Sequence, residues 1–224
     1  MIDLLKYIKE NKTLNILLMS ECDIYFYKQS QETQFSSNQE IYSIPYEAFA
    51  KDGSGGEFVF LTDGSIGFIS SEGEVGRIAE NLEELLTFLI HAGNLFDFNC
   101  KHLYQNPSIL TKYCDGYIST ARKNYKAENK DWDRIRSDIA KELSLPFDPK
   151  KLADLAMVFY QAATRNPSFS CKYIDGENEY ICDSVLSDIV GIWVTKLTGM
   201  TKEEIEINSN NRISNLWWTG NECR

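Results

Sequence analysis

The hydrophobic pattern divides the chain into a first part that favours strands and a second part that favours helices. Apolar residues with helical spacing in residues 1–11 predict a short amphipathic helix. The apolar segments 14–20 and 23–29 contain β-branched or aromatic residues and are predicted as strands. The polar segment 29–39 that follows them predicts a loop.

The strongest local signal is an Asp-Gly pair at 63–64, which lies between two apolar runs. A two-residue turn at such a pair needs positive φ angles and predicts a β-hairpin. This turn would place Leu61 opposite Ile66, and Phe60 would cover Gly67, where the strand has no side chain. Both faces of the hairpin are apolar, so we expect it to lie centrally, with helices or loops covering it.

A third strand and a helix are predicted to follow the hairpin. Residues 74–79 form the next apolar run, after a polar turn. Asn81 is a suitable N-cap, Glu84 completes a capping box, and Gly93 is a suitable C-terminal stop for this helix. A meander of strands followed by one helix is typical of an α+β fold with a mostly antiparallel sheet flanked by helices.

The second part of the chain is predicted to be mainly helical. Helices are expected over 107–125, 131–143, 149–164 and 184–198. Asp148 and Pro149 are a suitable cap and first residue for the third of these helices. A hairpin with a four-residue loop around the Asp-Gly pair at 175–176 would place Cys171 opposite Cys182.

The length of 224 residues suits one large domain, or a domain with a sizeable extension. We assign residues 1–100 to an α+β domain and residues 101–224 to a mainly helical extension with one hairpin, packed on the first domain. A capping box from Thr201 predicts another helix. Trp217 and Trp218 follow it and are expected to pack against the body of the protein.

Charge is unevenly distributed along the chain. The 33 acidic and 23 basic residues give a net charge of −10. Residues 1–100 contain 16 acidic and 6 basic residues, whereas residues 101–224 contain 17 of each. An acidic surface repels nucleic acids and anionic membranes and attracts basic proteins, so we expect a basic protein partner, no nucleic acid and no membrane. The alternative is that the charge serves solubility alone.

The cysteines and the apolar runs bear on the cellular compartment. Six cysteines occur, and none belongs to a CxxC pair. The first residues are too polar for a signal peptide, and no apolar run is long enough for a membrane span. We therefore expect a cytoplasmic protein with reduced thiols, Cys171 and Cys182 included.

The glycine cluster that begins at Gly53 does not fit a phosphate-binding loop. A dinucleotide-binding loop needs a glycine where Phe58 stands and a helix after it, and a Walker loop needs a Gly-Lys pair. Ser65 lies in the predicted hairpin, whereas a nucleophile elbow lies on a strand-to-helix turn. The glycines are therefore predicted to let the backbone turn tightly into the sheet.

A group of residues from 91 to 102 contains side-chain types that bind zinc: His91, Asp97, Cys100 and His102. Their spacing matches no common structural zinc site. His91 is expected at the end of a helix, where a cation interacts favourably with the helix dipole. His102 is expected in a loop between helices. We predict neither a metal nor another cofactor.

Five carboxylates lie in the predicted turns of the meander: Asp52, Glu57, Asp63, Glu72 and Glu74. Acid–base catalysis by paired carboxylates requires burial that raises the pKa of one of them. Side chains in tight polar turns are usually solvated, so these residues favour a negative binding rim over catalysis. We assign all five to partner binding and predict no catalytic residue.

The stretch "IPYEAFAKDGSGGEFVFLTDGSIGFIS", followed by a further strand and "NLEELLTFLI", resembles the SUKH superfamily. The resemblance covers about residues 44–92. It implies an α+β fold and a non-enzymatic function. Bacterial members look like immunity proteins that neutralise a cognate toxin, often a nuclease, and fungal relatives act as scaffolds in cell-wall signalling. The chain departs from the pattern in its longer helical second part and in lacking a clear upstream "LP…NG" segment.

The resemblance and the acidic first part together predict an immunity protein that binds and neutralises a basic bacterial toxin. An acidic surface would complement the basic active site of a toxin that cleaves nucleic acid. The alternative is a scaffold or regulatory protein-binding module of the same fold without a toxin partner. A metal- or carboxylate-dependent hydrolase is the third hypothesis.

Overall fold

Two antiparallel sheets and eight α-helices make up residues 4–31 and 40–216, the part of the chain that this computed structural model describes. The helices are α1 Leu4–Glu10, α2 Lys12–Cys22, α3 Leu82–Ala92, α4 Pro107–Ala127, α5 Trp132–Glu142, α6 Leu152–Thr164, α7 Ile192–Thr198 and α8 Lys202–Leu216. The strands are β1 Tyr25–Gln31, β2 Glu40–Tyr42, β3 Tyr46–Lys51, β4 Glu57–Leu61, β5 Ile66–Ile69, β6 Val75–Ala79, β7 Cys171–Asp175 and β8 Asn178–Ile181. Trp217, Trp218 and most of the predicted loop 29–39 lie outside the described residues.

The larger sheet has five strands in the order β1-β3-β4-β5-β6, and each neighbouring pair is antiparallel. The smaller sheet has the order β2-β7-β8 and is also antiparallel. The predicted α+β class with a mostly antiparallel sheet flanked by helices is therefore confirmed. No described helix is both long and apolar enough to cross a membrane.

The hairpin of β4 and β5 is confirmed, but its predicted register is wrong by one residue. Val59 pairs with Gly67, and Phe60 pairs with Ile66. The loop has three residues because the Leu61 amide donates to the Ser65 carbonyl at 2.9 Å. Its last residue has a φ of 87°, so the glycine of the Asp-Gly pair supplies the left-handed position of a three-residue turn.

The predicted strand over 14–20 is wrong, because this segment belongs to helix α2. The side chain of Asn11 caps the helix by accepting the amide of Leu14 at 3.1 Å. Leu14, Leu18 and Cys22 are buried at a spacing of four residues, which is the repeat of one helix face. The apolar composition of the segment concealed this spacing.

The predicted caps are present at the helix ends. The Asn81 side chain accepts the Glu84 amide at 2.9 Å, as predicted. The Glu84 carboxylate accepts the amide of Glu80, the residue before the cap, rather than the amide of Asn81 itself. Gly93 ends α3 with a φ of 81°. From Thr201 the capping box is complete, with both reciprocal hydrogen bonds to the residue three positions later.

In the second part, α4, α5 and α6 agree with the predicted helices, and α6 begins with a 3₁₀ turn, Pro149–Lys151. The predicted register of the second hairpin is confirmed, since the Cys182 amide donates to the Cys171 carbonyl at 2.9 Å. Its loop has two residues instead of the predicted four, because Asp175 pairs with Asn178. Both thiols are free. The helix predicted over 184–198 begins only at Ile192, because the residues before it bridge to β6 and to Cys100.

Two hydrophobic clusters cover the two faces of the larger sheet. Phe58 and Phe68 point into the first cluster, where the rings of Phe88 and Phe159 stack at 5.5 Å. This cluster includes residues of both 1–100 and 101–224. The second cluster lies on the opposite face and includes Phe169 from the chain before β7. The predicted burial of both hairpin faces is confirmed.

Candidate protein-binding site

Asp52 organises the turn between β3 and β4. One carboxylate oxygen accepts the amides of Ser54 and Gly56 at 3.0 and 2.7 Å, and the other accepts the Ser54 hydroxyl at 2.8 Å. Asp52 is only 5% exposed. Contrary to the expectation for a turn residue, its carboxylate is not solvated, because the turn itself uses its hydrogen-bonding capacity.

The glycines of this turn allow close approach of other groups. The Gly53 amide donates to the Asp23 carboxylate at 3.1 Å. A Cβ on Gly56 would lie 2.5 Å from the ring of Phe68, so a side chain has no room there. The amides of Gly53, Ser54 and Gly56 thus already donate to carboxylates, which leaves little of the donor set that a phosphate needs. This agrees with the structural explanation of the glycine cluster.

Glu57 is also buried, at 2% exposure. It is the first residue of β4 and accepts the hydroxyl of Tyr27 at 3.1 Å. The expectation of a solvated turn position is wrong here because the strand begins at this residue and its side chain is covered.

Asp63 lies at the opposite end of the sheet from the Asp52 turn, since β4 runs from one turn to the other. Its carboxylate is paired with Arg77 at 2.8 Å and with Arg165 at 2.6 Å. Burial tends to raise the pKa of Asp63, but hydrogen bonds from Ser65 and the nearby charge of Arg77 outweigh it and lower the pKa to about 2. The Asp63 carboxylate is therefore ionised, and the charges of Arg77 and Arg165 balance it within the protein.

Glu72 and Glu74 belong to the turn between β5 and β6, at the same end of the sheet as Asp52. Glu72 is exposed, and Glu74 is half-buried with its carboxylate bonded to the Ser70 hydroxyl. The structure adds an acidic residue that the sequence did not suggest. Asp183 is exposed, and its carbonyl accepts the amide of Val75, the residue after Glu74, at 2.8 Å.

A glycine in β6 permits this approach. A Cβ on Gly76 would lie 2.4 Å from a methyl carbon of Val185, so only glycine lets the segment from 183 to 185 lie against β6. A strand glycine is a signal of close backbone approach, but it does not identify the approaching segment. Asp183 could therefore not be assigned to the site from the sequence.

The five predicted carboxylates thus do not form one exposed patch. Two are buried, and Asp63 is neutralised at the far end of the sheet. We define the acidic end as Glu72, Glu74 and Asp183. No basic side chain that the structure describes forms an ion pair with any of these three, whereas some other exposed acids are paired, such as Asp133 with Arg122 at 2.7 Å.

A cleft lies next to the acidic end, and a second, smaller cleft adjoins the first. The larger, of about 350 Å³, is lined by Glu74 and Asp97 together with aromatic and small polar residues. The smaller, of about 240 Å³, is lined by Asp97, Glu21 and Arg136 among others. Asp97 and Trp193 line both clefts, so the two are adjacent. Arg136 is buried and lies 3.6 Å from the Glu21 carboxylate, so the smaller cleft holds an internal ion pair.

The residues of the zinc-competent group are not brought together. His91 is buried at 1% exposure, and Cys100 is buried as well. His102 lies in a 3₁₀ turn between α3 and α4, as the expected inter-helix position requires. In residues 4–31 and 40–216, no group of three or more histidines, cysteines or carboxylates is arranged to hold a metal ion.

His102 contacts a serine, as a catalytic base would. Its Nδ1 lies 2.8 Å from the Ser209 hydroxyl, and its Nε2 donates to the Asp188 carbonyl at 3.1 Å. Ser209, however, has 0% exposure. A nucleophile must reach its substrate, so this pair does not provide the nucleophile and base of a hydrolase. Ser65 is likewise buried, and Arg77 donates to its hydroxyl at 2.8 Å.

The expectation that His91 is a cation at the end of α3 is wrong. Its Nδ1–H donates to the Thr87 carbonyl at 2.7 Å, and its Nε2 accepts the Asp148 amide at 3.0 Å. Both contacts suit the neutral ring, since one nitrogen must accept. Burial lowers the pKa of His91, which also favours the neutral ring. The histidine thus joins α3 to the cap of α6 as a neutral ring.

We expect the protein to lose stability on acidification through His91. The folded state binds fewer protons at this residue than the unfolded state, whose histidine pKa is about 6.5. The stabilising contribution is therefore full above that pKa and falls as the pH drops below it, with a slope of at most about 1.4 kcal/mol per pH unit. Urea unfolding between about pH 8 and pH 5 measures this slope.

The variant His91→Gln can still accept the Asp148 amide but does not titrate, so its unfolding free energy should vary less with pH than that of the wild type. His102→Gln removes the only other histidine and retains His91, so it is the matched control. Equal pH dependence in the wild type and His91→Gln would contradict the neutral assignment.

No family model, no curated protein and no solved structure matches the chain. Its own features describe an α+β protein with two antiparallel sheets and an acidic end formed by Glu72, Glu74 and Asp183.

Proposed function

We propose that the protein is a non-enzymatic immunity protein that binds a basic protein toxin and neutralises it by covering its active surface. The proposal rests on the resemblance of residues 44–92 to the SUKH superfamily and on one structural observation. Glu72, Glu74 and Asp183 lie together at one end of the larger sheet, without basic partners in the described part of the chain. The proposal places the protein in the cytoplasm.

Unpaired carboxylates at one end of the molecule suit binding to a basic surface. Exposed Asp188 and Glu179 are paired with Lys101 and Lys172 at 3.0 and 2.7 Å, so their fields are largely cancelled. Glu72 and Asp183 lack such partners and project a negative potential into solvent. Complementary potentials raise the association rate and select the partner, and both effects weaken with salt.

The first experiment is capture of the toxin. The tagged protein should retain one basic protein from a lysate of its native host at low salt, and less of it at high salt. Expression of that protein alone should arrest growth, and co-expression with this chain should restore it. Capture of several housekeeping proteins without growth rescue would contradict the immunity function and favour a scaffold.

Charge reversal tests the acidic end. We expect the double variant Glu72→Lys/Asp183→Lys to lower the association rate with the captured toxin by about 10- to 100-fold at low salt. The rates of wild type and variant should converge as salt rises, because screening removes the steering. Surface plasmon resonance at several ionic strengths measures this difference.

The matched control is Asp115→Lys/Glu203→Lys, which makes the same change in net charge on α4 and α8. Both residues are exposed and lie outside the acidic end. If the two double variants slow association equally, net charge alone acts on the partner, and the acidic end is not the binding surface.

A further inference from the structure

Two carboxylates and no basic side chain line the larger cleft next to the acidic end. Its two ionisable carboxylates are Glu74 and Asp97, and its lining contains no lysine, arginine or histidine. Arg136 lines only the smaller cleft, where Glu21 neutralises it. A cation that enters the larger cleft therefore meets two carboxylates and no basic side chain among the lining residues.

Asp97 has little charge compensation inside the protein. One of its oxygens accepts the Tyr117 hydroxyl at 2.9 Å, and no described basic side chain pairs with it. Burial raises the pKa of Asp97, and only the hydrogen bond from Tyr117 opposes this shift. Asp97 is half-buried, and a carboxylate that is partly removed from water is stabilised by a cationic partner, so a cationic side chain in the cleft would stabilise it.

The walls of the cleft suit the stem of a long basic side chain. Phe96, Tyr113 and Trp193 supply aromatic surface, and the Trp193 indole N–H is buried without an acceptor in the described residues. Lysine and arginine bury their methylene stems along such surface while the charged head meets an acceptor. Lys196 already lies 5.0 Å from the Trp193 ring centroid, so one face of this ring contacts a cation within the protein.

The rim of the cleft is apolar. Ile189 lines it and is 72% exposed. Ile192 is the chain neighbour of the lining residues Gly191 and Trp193 and is 87% exposed. Exposed apolar residues around a polar pocket are typical of a protein interaction surface. The volume of about 350 Å³ is close to the lower limit for small-molecule pockets and suits a single inserted side chain.

We propose that this cleft receives one lysine or arginine side chain of a basic protein partner, with its charged head between Glu74 and Asp97. The inference rests on the proposed function for the identity of the partner. The contact in the cleft holds the complex together after the acidic end has steered the partner to the cleft. Arginine anchors in such pockets commonly dominate the binding energy of an interface.

The site can be tested without the partner. The probes are the N-acetyl methylamides of arginine, lysine and citrulline, added to the isotope-labelled full chain and followed by NMR. Citrulline has the shape of arginine and no charge. We expect saturable shifts of the Trp193 indole and of amides in 96–100 with arginine and lysine, at millimolar affinity, and none with citrulline.

Asp97→Asn retains the side-chain volume and the acceptor for Tyr117 but removes the charge. It should weaken arginine binding at least 10-fold, whereas Asp115→Asn, with the same change in net charge, should not alter it. Equal shifts with citrulline, no saturable shift with any probe, or unchanged binding by Asp97→Asn would overturn the proposal.

A second measurement separates this proposal from the immunity function. If a toxin is captured, Asp97→Asn should increase its dissociation rate at least 10-fold. If the toxin is captured and neutralised but Asp97→Asn leaves its dissociation rate unchanged, the cleft is not the anchor of the complex. The immunity function would then stand. Arginine binding that depends on Asp97, without any toxin, would support the cleft and count against immunity.

Discussion

Replacement of Arg77 with methionine is expected to destabilise the protein by about 3–5 kcal/mol. Arg77 is 1% exposed in the third strand of the meander. Its guanidinium donates to Ser65 at 2.8 Å, to the Pro167 carbonyl at 2.9 Å and to Asp63 at 2.8 Å. Methionine fills part of the volume but removes all three donors: the buried Ser65 hydroxyl loses a partner, the Pro167 carbonyl loses its donor, and Asp63 keeps Arg165 as a cationic partner.

Chemical denaturation near neutral pH measures this loss. Arg122→Met is the matched control, because Arg122 makes two 2.7 Å hydrogen bonds to Asp133 at an exposed position. Exposed pairs contribute less than about 1 kcal/mol, so the control should remain close to the wild type. Similar losses in both variants would show that burial of Arg77 does not determine its contribution.

The contacts of Arg77 explain why this residue could not be assigned from the sequence. The position was predicted correctly as part of a strand, and an arginine in a strand is compatible with a solvated face. Its acceptors lie 12, 14 and 90 residues away along the chain. Local patterns predict which element a residue belongs to, but they do not show which distant groups meet it.

The same limit separates the correct from the incorrect fold predictions. Caps at Asn81 and Thr201 depend on residues three positions apart, and both were predicted correctly. The register of the first hairpin depends on whether its loop has two or three residues, and the Asp-Gly pair fits both lengths. The helix predicted from 184 begins at Ile192, because the tertiary bridge to β6 outweighs local propensity there.

For the candidate site, the sequence predicted the acidic character but not its distribution. Asp52 and Glu57 are removed from the surface by hydrogen bonds and strand packing, and Asp63 is paired with Arg165, a residue 102 positions later. Asp183 joins the acidic end through a backbone contact that no local pattern indicates. Counting charges along the chain therefore overestimates how many of them a partner can reach.

The second large effect is expected at Phe169, whose replacement with alanine should destabilise the protein by about 3–5 kcal/mol. Phe169 is 2% exposed in the second hydrophobic cluster, with ring contacts to Tyr42 and Tyr46 at 5.9 and 6.0 Å. It also covers Gly67, since a Cβ there would lie 2.8 Å from the Phe169 ring. The ring predicted for this position was Phe60, which the observed register places elsewhere.

A double-mutant cycle tests this contact directly. Gly67→Ala in the wild type should cost about 1–3 kcal/mol, because the new methyl group overlaps the Phe169 ring. In the Phe169→Ala background the same change should cost less, and the methyl group should fill part of the cavity. Some cost should remain, since Val59 lies 3.0 Å from the same Cβ position. Denaturation of the four proteins measures the coupling.

Phe98→Ala supplies the control background, because Phe98 is fully buried in the first cluster, on the other side of the sheet. Gly67→Ala and Phe98→Ala should add, whereas Gly67→Ala and Phe169→Ala should not. If Gly67→Ala is equally costly in all three backgrounds, strand propensity rather than the Phe169 ring requires glycine at this position. A smaller cost of Gly67→Ala in the Phe169→Ala background would instead show that the Phe169 ring requires glycine at position 67. A residue just before β7 would then determine which residue β5 can have, across more than a hundred residues of chain.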